Sequence, residues 1–237
     1  MRTLAIGDIH GRVEALREVL KLSSFDYEND KLIVLGDVVD GGYNTAEVVE
    51  ELLKIKNIVY IIGNHDEWFM NHISSGWAEN IWLQQGGSNT LRSYGASVKE
   101  SKTSYGESFV HTANLNIPVT HQDFFNRGVY YHYEYGMMFV HGGFHPEKKI
   151  EDNDKHTLLW DRDLIRFAQY NPVPHYKKVF VGHTTTQSCG DHMHPLIYNN
   201  LYMLDCGAGW TGKLCIMDIN TEEFWLSKVQ KPALKYD

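Results

Sequence analysis

Cysteine is scarce in this chain of 237 residues, basic charge is in deficit, and long apolar runs are missing. Only Cys189, Cys206 and Cys215 are present, without paired spacing, so a disulfide framework is excluded and a reducing compartment, by default the cytoplasm, is expected. Lysine and arginine number 22 against 30 aspartates and glutamates, a formal net charge of −8. That balance excludes the broad basic surface on which nucleic-acid or anionic-membrane binding depends, yet it leaves room for a small nucleotide held through metal ions. No apolar stretch reaches the length that spans a bilayer, and a strand pattern begins so soon after Met1 that no signal peptide is expected. Internal repeats and low-complexity tracts are absent, and the longest polar stretch, Lys99 to Glu107, is short for a linker between domains. What is there is a 43% hydrophobic composition, enough for one sizeable core. A single domain over residues 1–237 is therefore expected; composition sets no oligomeric state.

Five short apolar runs stand out: Leu4 to Ile6, Leu32 to Leu35, Ile58 to Ile62, Met138 to Val140 and Val179 to Val181. Runs of this kind read as strands of a parallel sheet buried on both faces. Each is followed, beside a glycine, by residue types that bind metals: Asp8-Ile9-His10, Asp37, Asn64-His65, His141 and His183. Loops at the carboxyl ends of strands are where an open α/β sheet builds its site, so these groups are expected to converge. Asp8 and His10 alternate with Ile9, and in extended backbone they leave on the same face. Between the first runs, Arg12 to Lys21 carries Val13, Leu16, Val19 and Leu20 at helical spacing. A second helix starts at Asn44 or Thr45 and turns Val48, Val49, Leu52 and Leu53 inward. The motifs recur at about 30 residues, the length of one strand-helix-strand unit. From Glu67 the pattern becomes aromatic and Gly/Ser-punctuated, with Trp68, Phe69, Trp77 and Trp82, which predicts a mainly helical cap inserted over 67–135. Strands are predicted at Val129 to Tyr135, Met137 to Val140, Lys178 to Val181, Leu201 to Leu204 and Lys213 to Ile219, with a helix at Asp161 to Gln169 and a last strand at Phe224-Trp225.

The ordered series Gly7-Asp8-Ile9-His10-Gly11, Gly36-Asp37-Val38-Val39-Asp40-Gly41, Gly63-Asn64-His65-Asp66, His141-Gly142-Gly143 and Gly182-His183-Thr184 resembles the calcineurin-like metallophosphoesterases. The likeness runs from about Met1 to Trp210 and is strongest to the phosphoprotein phosphatase branch, with its bacterial and phage members. The symmetrical dinucleoside tetraphosphatases are similar in the same motifs. This resemblance implies an α/β fold, the two-sheet α/β/β/α sandwich, and two divalent ions. It implies Asp8, His10, Asp37, Asn64, His141 and His183 as their ligands, with Asp37 between the ions. Mn²⁺ fits this oxygen and nitrogen set best, with Fe or Zn²⁺ as alternatives. Two dications on two carboxylates leave a net positive centre for phosphate, and in such hydrolases the ions sit roughly 3.5–4 Å apart. The implied reaction is hydrolysis of phosphomonoesters by direct attack of metal-bound hydroxide, with no phosphoenzyme. His65 is the implied general acid for the leaving alkoxide and Asp40 its support, a task suited to a histidine near neutral pH. The implied substrate is a serine or threonine phosphoprotein. The alternatives are a nucleotide or dinucleoside polyphosphate, or a catalytically weak, metal-stabilised binding module.

Two departures bear on the substrate. The phosphoprotein phosphatase pattern carries phosphate-binding arginines where this chain has Gly41 and Ile62. Leu159-Trp160-Asp161-Arg162-Asp163 resembles the W-x-R segment of bacterial and phage members, so Arg162, together with Asn64, is implied to bind substrate phosphate. On the residues alone, Arg162 reads equally as a surface arginine on an amphipathic helix. Arg127 in the cap is the next arginine to consider. Cys189, His192 and His194 read as a polar loop rather than a third metal site. Gln85 to Thr90 reads as a helix break and a new cap. His72, His111, His121 and His132 read as solvent-facing or hydrogen-bonded residues, His145 as a pocket-lining one, and the aromatics of the cap as core packing.

Overall fold

The computed structural model describes residues 1–76, 78, 80–102, 108–190 and 192–231, with the backbone alone at 80, 100–102 and 108–111. The expectations for Trp77, for the His111 side chain and for positions 103–107 of the polar stretch lie outside the described residues. The chain opens as β1 (Thr3–Ile6), α1 (Val13–Leu22), β2 (Lys31–Val34), α2 (Thr45–Leu52) and β3 (Asn57–Tyr60). The cap follows, with α3 (Asn64–Ser75), α4 (Asn80–Gln84), α5 (Gly87–Ser93), a hairpin of β4 (Ser97–Lys102) and β5 (Ser108–Ala113), and α6 (Val119–Asn126). The second half runs β6 (Tyr131–Glu134), β7 (Met137–Val140), α7 (Lys155–Trp160), α8 (Asp163–Ala168), β8 (Lys178–Val181), β9 (Leu196–Tyr198), β10 (Leu201–Met203), β11 (Cys215–Asp218) and β12 (Phe224–Leu226).

Two five-stranded sheets result, ordered β12-β11-β1-β2-β3 and β6-β7-β8-β10-β9. In the first, β1, β2 and β3 are parallel and β11 and β12 antiparallel. In the second, β7, β8 and β10 are parallel, between antiparallel edges β6 and β9. Alternation along each strand sorts the side chains into three cores. Ala5, Ile33, Phe139, Phe180 and Met217 face inward between the sheets. Leu4, Ile6, Leu32, Val34 and Ile216 face α1, α2 and the cap, and Met138, Val140, Val179 and Val181 face α7 and α8. Both faces of the central strands are thus covered, which is why their sequences read as unbroken apolar runs. Phe139 and Phe180 stack at 5.0 Å and Phe180 and Tyr202 at 4.8 Å; full burial of one such side chain contributes about 1.5–3 kcal/mol.

The expected mainly helical cap also contains the β4–β5 hairpin, which the polar sequence around Lys99 did not announce because its pairing is set by the register between two strands. The strand predicted at Val129 to Tyr135 is β6, which pairs with β7 in the second sheet. The predicted helix at Asp161 to Gln169 is α8, and a separate helix precedes it: α7 is capped by Asp154, whose carboxylate accepts from the Thr157 amide at 2.7 Å, and an extended Asp161 separates it from α8. Among the described residues no helix is long and apolar enough to cross a membrane.

Candidate metal centre

Every motif loop leaves the carboxyl end of a parallel strand: Asp8 after β1, Asp37 after β2, Asn64 at the start of α3 after β3, His141 after β7, and His183 after β8. His10 (φ 49°), Asp37 (φ 50°), Asp40 (φ 68°) and His183 (φ 59°) all adopt left-handed backbone. Such conformations cost on the order of 1–3 kcal/mol each and persist where the surroundings dictate them. Here they turn side chains from separate strands toward one point. His10 Nδ1 donates to the Val39 carbonyl at 3.0 Å and His141 Nδ1 to the Leu35 carbonyl at 2.7 Å. In its neutral form each of these imidazoles presents Nε2 as an acceptor. His141 Nε2 faces Asn64 Oδ1 at 3.0 Å and Asp37 Oδ1 at 3.5 Å, and His183 Nδ1 faces the same Asn64 Oδ1 at 2.8 Å. His10 Nε2 stands 3.7 Å from Asp37 Oδ2.

Nitrogen and oxygen atoms converging in this way, largely buried, fit a cation, and such a mixed set fits a transition dication. Two compact groups could each hold an ion, His10-Asp37-His65 and Asp37-His141-His183, with Asp37 common to both. Asp8 falls in neither group. It is buried and turns toward the His183 amide, which donates at 3.0 Å, because that is the donor the β8 loop places against it. Burial first, and then the charges of Asp205 and Asp37, push the Asp8 carboxyl well above its ordinary range. Burial likewise pulls His10 down to about 4 and His183 far below its ordinary value. For Asp37 burial acts upward, but His141 and His65 outweigh it and hold the carboxyl low. Asp37 is thus held ionised by His141 and His65, while His10 and His183 stay neutral.

His65 and Asp40 form a pair beside these groups. His65 Nδ1 and Asp40 Oδ2 are 2.7 Å apart, and Asp40 is wholly buried. Burial acts to lower the His65 imidazole, yet the charge of Asp37 and the hydrogen bond to Asp40 outweigh it and raise it to about 9. The same Asp40 carboxylate accepts from Trp82 Nε1 at 2.8 Å and from Thr90 Oγ1 at 2.7 Å, both from the cap. Trp82 is core packing, as its sequence context predicts, but its one polar atom is committed to the site.

The cleft over these residues has a volume of about 260 Å³, and its lining includes His10, Asp37, Asn64, His65, Arg162 and His183. Arg162 therefore reaches the cleft. Arg127 lines a separate groove with Leu53 and Asp123, donates to the Asp123 carbonyl, and is not among the residues lining the cleft. His145 is exposed, bonded within its own loop to Asn153, and outside the lining residues. Among the described residues Cys189, His192 and His194 form no metal-binding group; His194 Nδ1 donates to the adjacent Pro195 carbonyl. His121 is buried and bonded to Tyr94 and Glu50, and His132 to Glu134. His72 is buried against Trp82 rather than facing solvent.

Asp205 was missed by the sequence reading. It is buried in the cleft, accepts from the Gly207 amide at 2.9 Å, and is raised to about 6 by burial and by the charge of Asp37. Its signal was the same as that of the other motifs, an acidic residue with a nearby glycine after the apolar run Leu201 to Leu204. The two departures also gain a physical account. Gly41 has φ +64°, and a Cβ there would stand 3.0 Å from the Gly209 carbonyl oxygen and from His10 Cβ. Ile62 is buried in the core between the first sheet and the cap.

Comparison with known proteins agrees with this geometry. A symmetrical bis(5'-nucleosyl)-tetraphosphatase of Coxiella burnetii is 37% identical over 68 residues, which is 29% of this chain and 23% of that protein. The match thus spans about a quarter of the relative's length. A solved structure named for diadenosine tetraphosphatase superposes with TM-score 0.68 at 16% identity, covering 99% of this chain and 95% of the other. A cold-active protein-tyrosine phosphatase of Shewanella superposes at 0.54 with 13% identity, covering 96% and 80%. These likenesses in structure establish the fold alone. Residues 1–209 match the sequence pattern of the calcineurin-like phosphoesterases, and with the motif loops converging as that pattern requires, the chain belongs to this family.

Proposed function

We propose that this chain is a two-metal phosphoric ester hydrolase acting on the phosphoanhydride of a nucleotide or dinucleoside polyphosphate. The observation that carries the hydrolase reading is the convergence of Asp37, Asn64, His10, His141 and His183 beside the His65–Asp40 pair. Two divalent ions, Mn²⁺ by preference, are held by Asp8, His10, Asp37, Asn64, His141 and His183, and supply Lewis acidity toward water and the phosphoryl oxygens. His65, held by Asp40, carries the proton for the leaving oxygen at the cleft. Asn64 and Arg162 orient the phosphoryl group. A binding module has no use for that proton donor, and the intact pair counts against it.

The substrate class rests on two supports. Relatives matched over 68 residues are named symmetrical tetraphosphatases, and Gly41 and Ile62 leave no place for the two arginines that clamp a dianionic monoester. A second reading, a serine or threonine phosphoprotein phosphatase, is favoured by Arg162 in the cleft. A small nucleotide in a cytoplasmic, reducing setting suits the net charge of −8 and the three free cysteines. The deciding experiment is turnover with Mn²⁺ on phosphopeptides, nucleotides, dinucleoside tetraphosphates and an aryl phosphodiester. Faster cleavage of the anhydrides is expected. Strict selectivity for phosphopeptides would reverse the order of the two readings, and no turnover on any of them would remove the hydrolase assignment.

A further inference from the structure

Besides α3, which carries Asn64 and His65, the cap meets the site through a short elbow. Helix α4 ends at Gln84, Gly86 turns the chain with φ +107°, and α5 begins at Gly87. Two close approaches fix this elbow. A Cβ on Gly86 would stand 2.5 Å from the Gly41 amide nitrogen, and a Cβ on Gly87 would stand 2.4 Å from the Trp82 ring. Glycine at 87 thus makes the space in which the Trp82 indole lies. Asn89 adds a bond from its amide to the Gly41 carbonyl at 3.3 Å.

Trp82 is wholly buried, and its indole N–H donates to Asp40 Oδ2 at 2.8 Å. Thr90, also wholly buried, holds Asp40 at both ends: its hydroxyl donates to Oδ1 at 2.7 Å, and the same oxygen accepts from the Asp40 amide at 2.8 Å. With His65 Nδ1 at 2.7 Å from Oδ2, donors occupy both carboxylate oxygens. A carboxylate on a left-handed loop residue that kept only the imidazole partner would be free to turn about its side-chain bonds. Donors on both oxygens fix its plane, and the plane fixes the imidazole ring that it faces.

We propose that Trp82 and Thr90 are positioning residues, which orient the Asp40 carboxylate so that His65 keeps its Nδ1–H on Asp40 and aims its Nε2–H into the cleft. The cap is then a component of the proton-donating device as well as a cover. The inference rests on the general-acid reading of His65, and the test separates the two. Trp82→Phe, Thr90→Val and Gly87→Ala are compared with His65→Asn in the full chain with Mn²⁺, on phosphate esters with good (aryl) and poor (alkyl) leaving groups. Each positioning variant is expected to lower kcat on alkyl esters on the order of 10- to 100-fold, the effect of one lost bond to a charged group. Aryl esters, KM and bound metal should change little, and Thr90→Ser, which keeps the hydroxyl, should restore turnover. Independently of turnover, the His65 Nδ1 proton should resonate far downfield in the wild type, as its hydrogen bond to the Asp40 carboxylate requires, and move upfield in Trp82→Phe. Equal losses on both ester types together with unchanged imidazole shifts would overturn the positioning role and leave Trp82 and Thr90 as packing residues. If His65→Asn itself shows no dependence on the leaving group, the general-acid reading fails first.

Discussion

At the scale of single residues, Asp37 has the most consequential place, because both candidate ligand groups share it. Asp37→Asn replaces the carboxylate common to both groups by a neutral amide, and bound metal and hydrolysis should both fall steeply. Metal analysis alongside turnover checks this; full occupancy with wild-type rates would exclude the shared-ligand geometry. Arg162 lines the cleft from the N-terminal side of α8, next to Trp160 and His183. Arg162→Ala should raise KM for phosphate monoesters through loss of a charge-assisted bond worth roughly 1.5–3 kcal/mol. An unchanged KM would mean that the phosphate is held without it. These residues were legible in the sequence because each is a metal-ligand or phosphate-binding type set against a strand or a known local pattern. Trp82 and Thr90 were not, because an indole or a hydroxyl within a helical stretch carries no sign of the carboxylate it will meet.

Among the elements, the loop of Asp40 and Gly41 decides what the site can accommodate. Gly41→Arg restores the arginine of the phosphoprotein phosphatase pattern, but it forces a side chain onto left-handed backbone at a cost of about 1–2 kcal/mol, against Gly209 and His10. A lowered melting temperature without tighter monoester binding is expected, and tighter binding would show that the loop can rearrange. Far from the site, Asp30 ties the start of β2 to the chain's beginning. Its carboxylate accepts from the Arg2 amide at 2.9 Å, from Arg2 Nε at 3.1 Å and from the Asp26 amide at 3.1 Å. Burial acts upward on this carboxyl, but the Arg2 hydrogen bonds outweigh it and hold it below its ordinary range. A carboxyl lowered in the folded state contributes stability that is complete above its unfolded pKa, about 3.9, and is lost as pH falls through the folded value. Unfolding titrations from pH 6 to pH 3 should therefore show a smaller acid-induced loss in Asp30→Asn than in the wild type. Equal slopes would mean that the pair contributes nothing to folding.

For the whole molecule, the centre couples stability to metal. Asp8, Asp37, Asp40, Asp66 and Asp205 are all buried, and burial together with their mutual repulsion raises Asp8, Asp66 and Asp205. A dication that binds only the folded chain at one hundred times its Kd adds about 2.7 kcal/mol, and in a chain of this size that raises the melting temperature by about 5–10 °C. Chelation should lower the melting temperature by this amount and Mn²⁺ should restore it. A melting temperature indifferent to both would mean that the charge cluster is relieved by protonation alone.

The sequence by itself determined the parallel strands, the order of the motif loops and the identity of the groups that meet at their ends. Those features are local: an apolar run buried on both faces followed by a ligand type and a glycine leaves its mark within a few residues. It also carried the family pattern and the two missing arginines. Only the tertiary structure decided where the cap attaches, that the polar stretch near Lys99 pairs as a hairpin, and that Asp205 joins the buried carboxylates. The tertiary fold likewise fixed which arginine reaches the cleft, Arg162 rather than Arg127. The physical reason is the range of the interactions. Trp82 and Thr90 bond to Asp40 across 42 and 50 residues of chain, and a pairing of that length is set by how the cap packs on the first sheet.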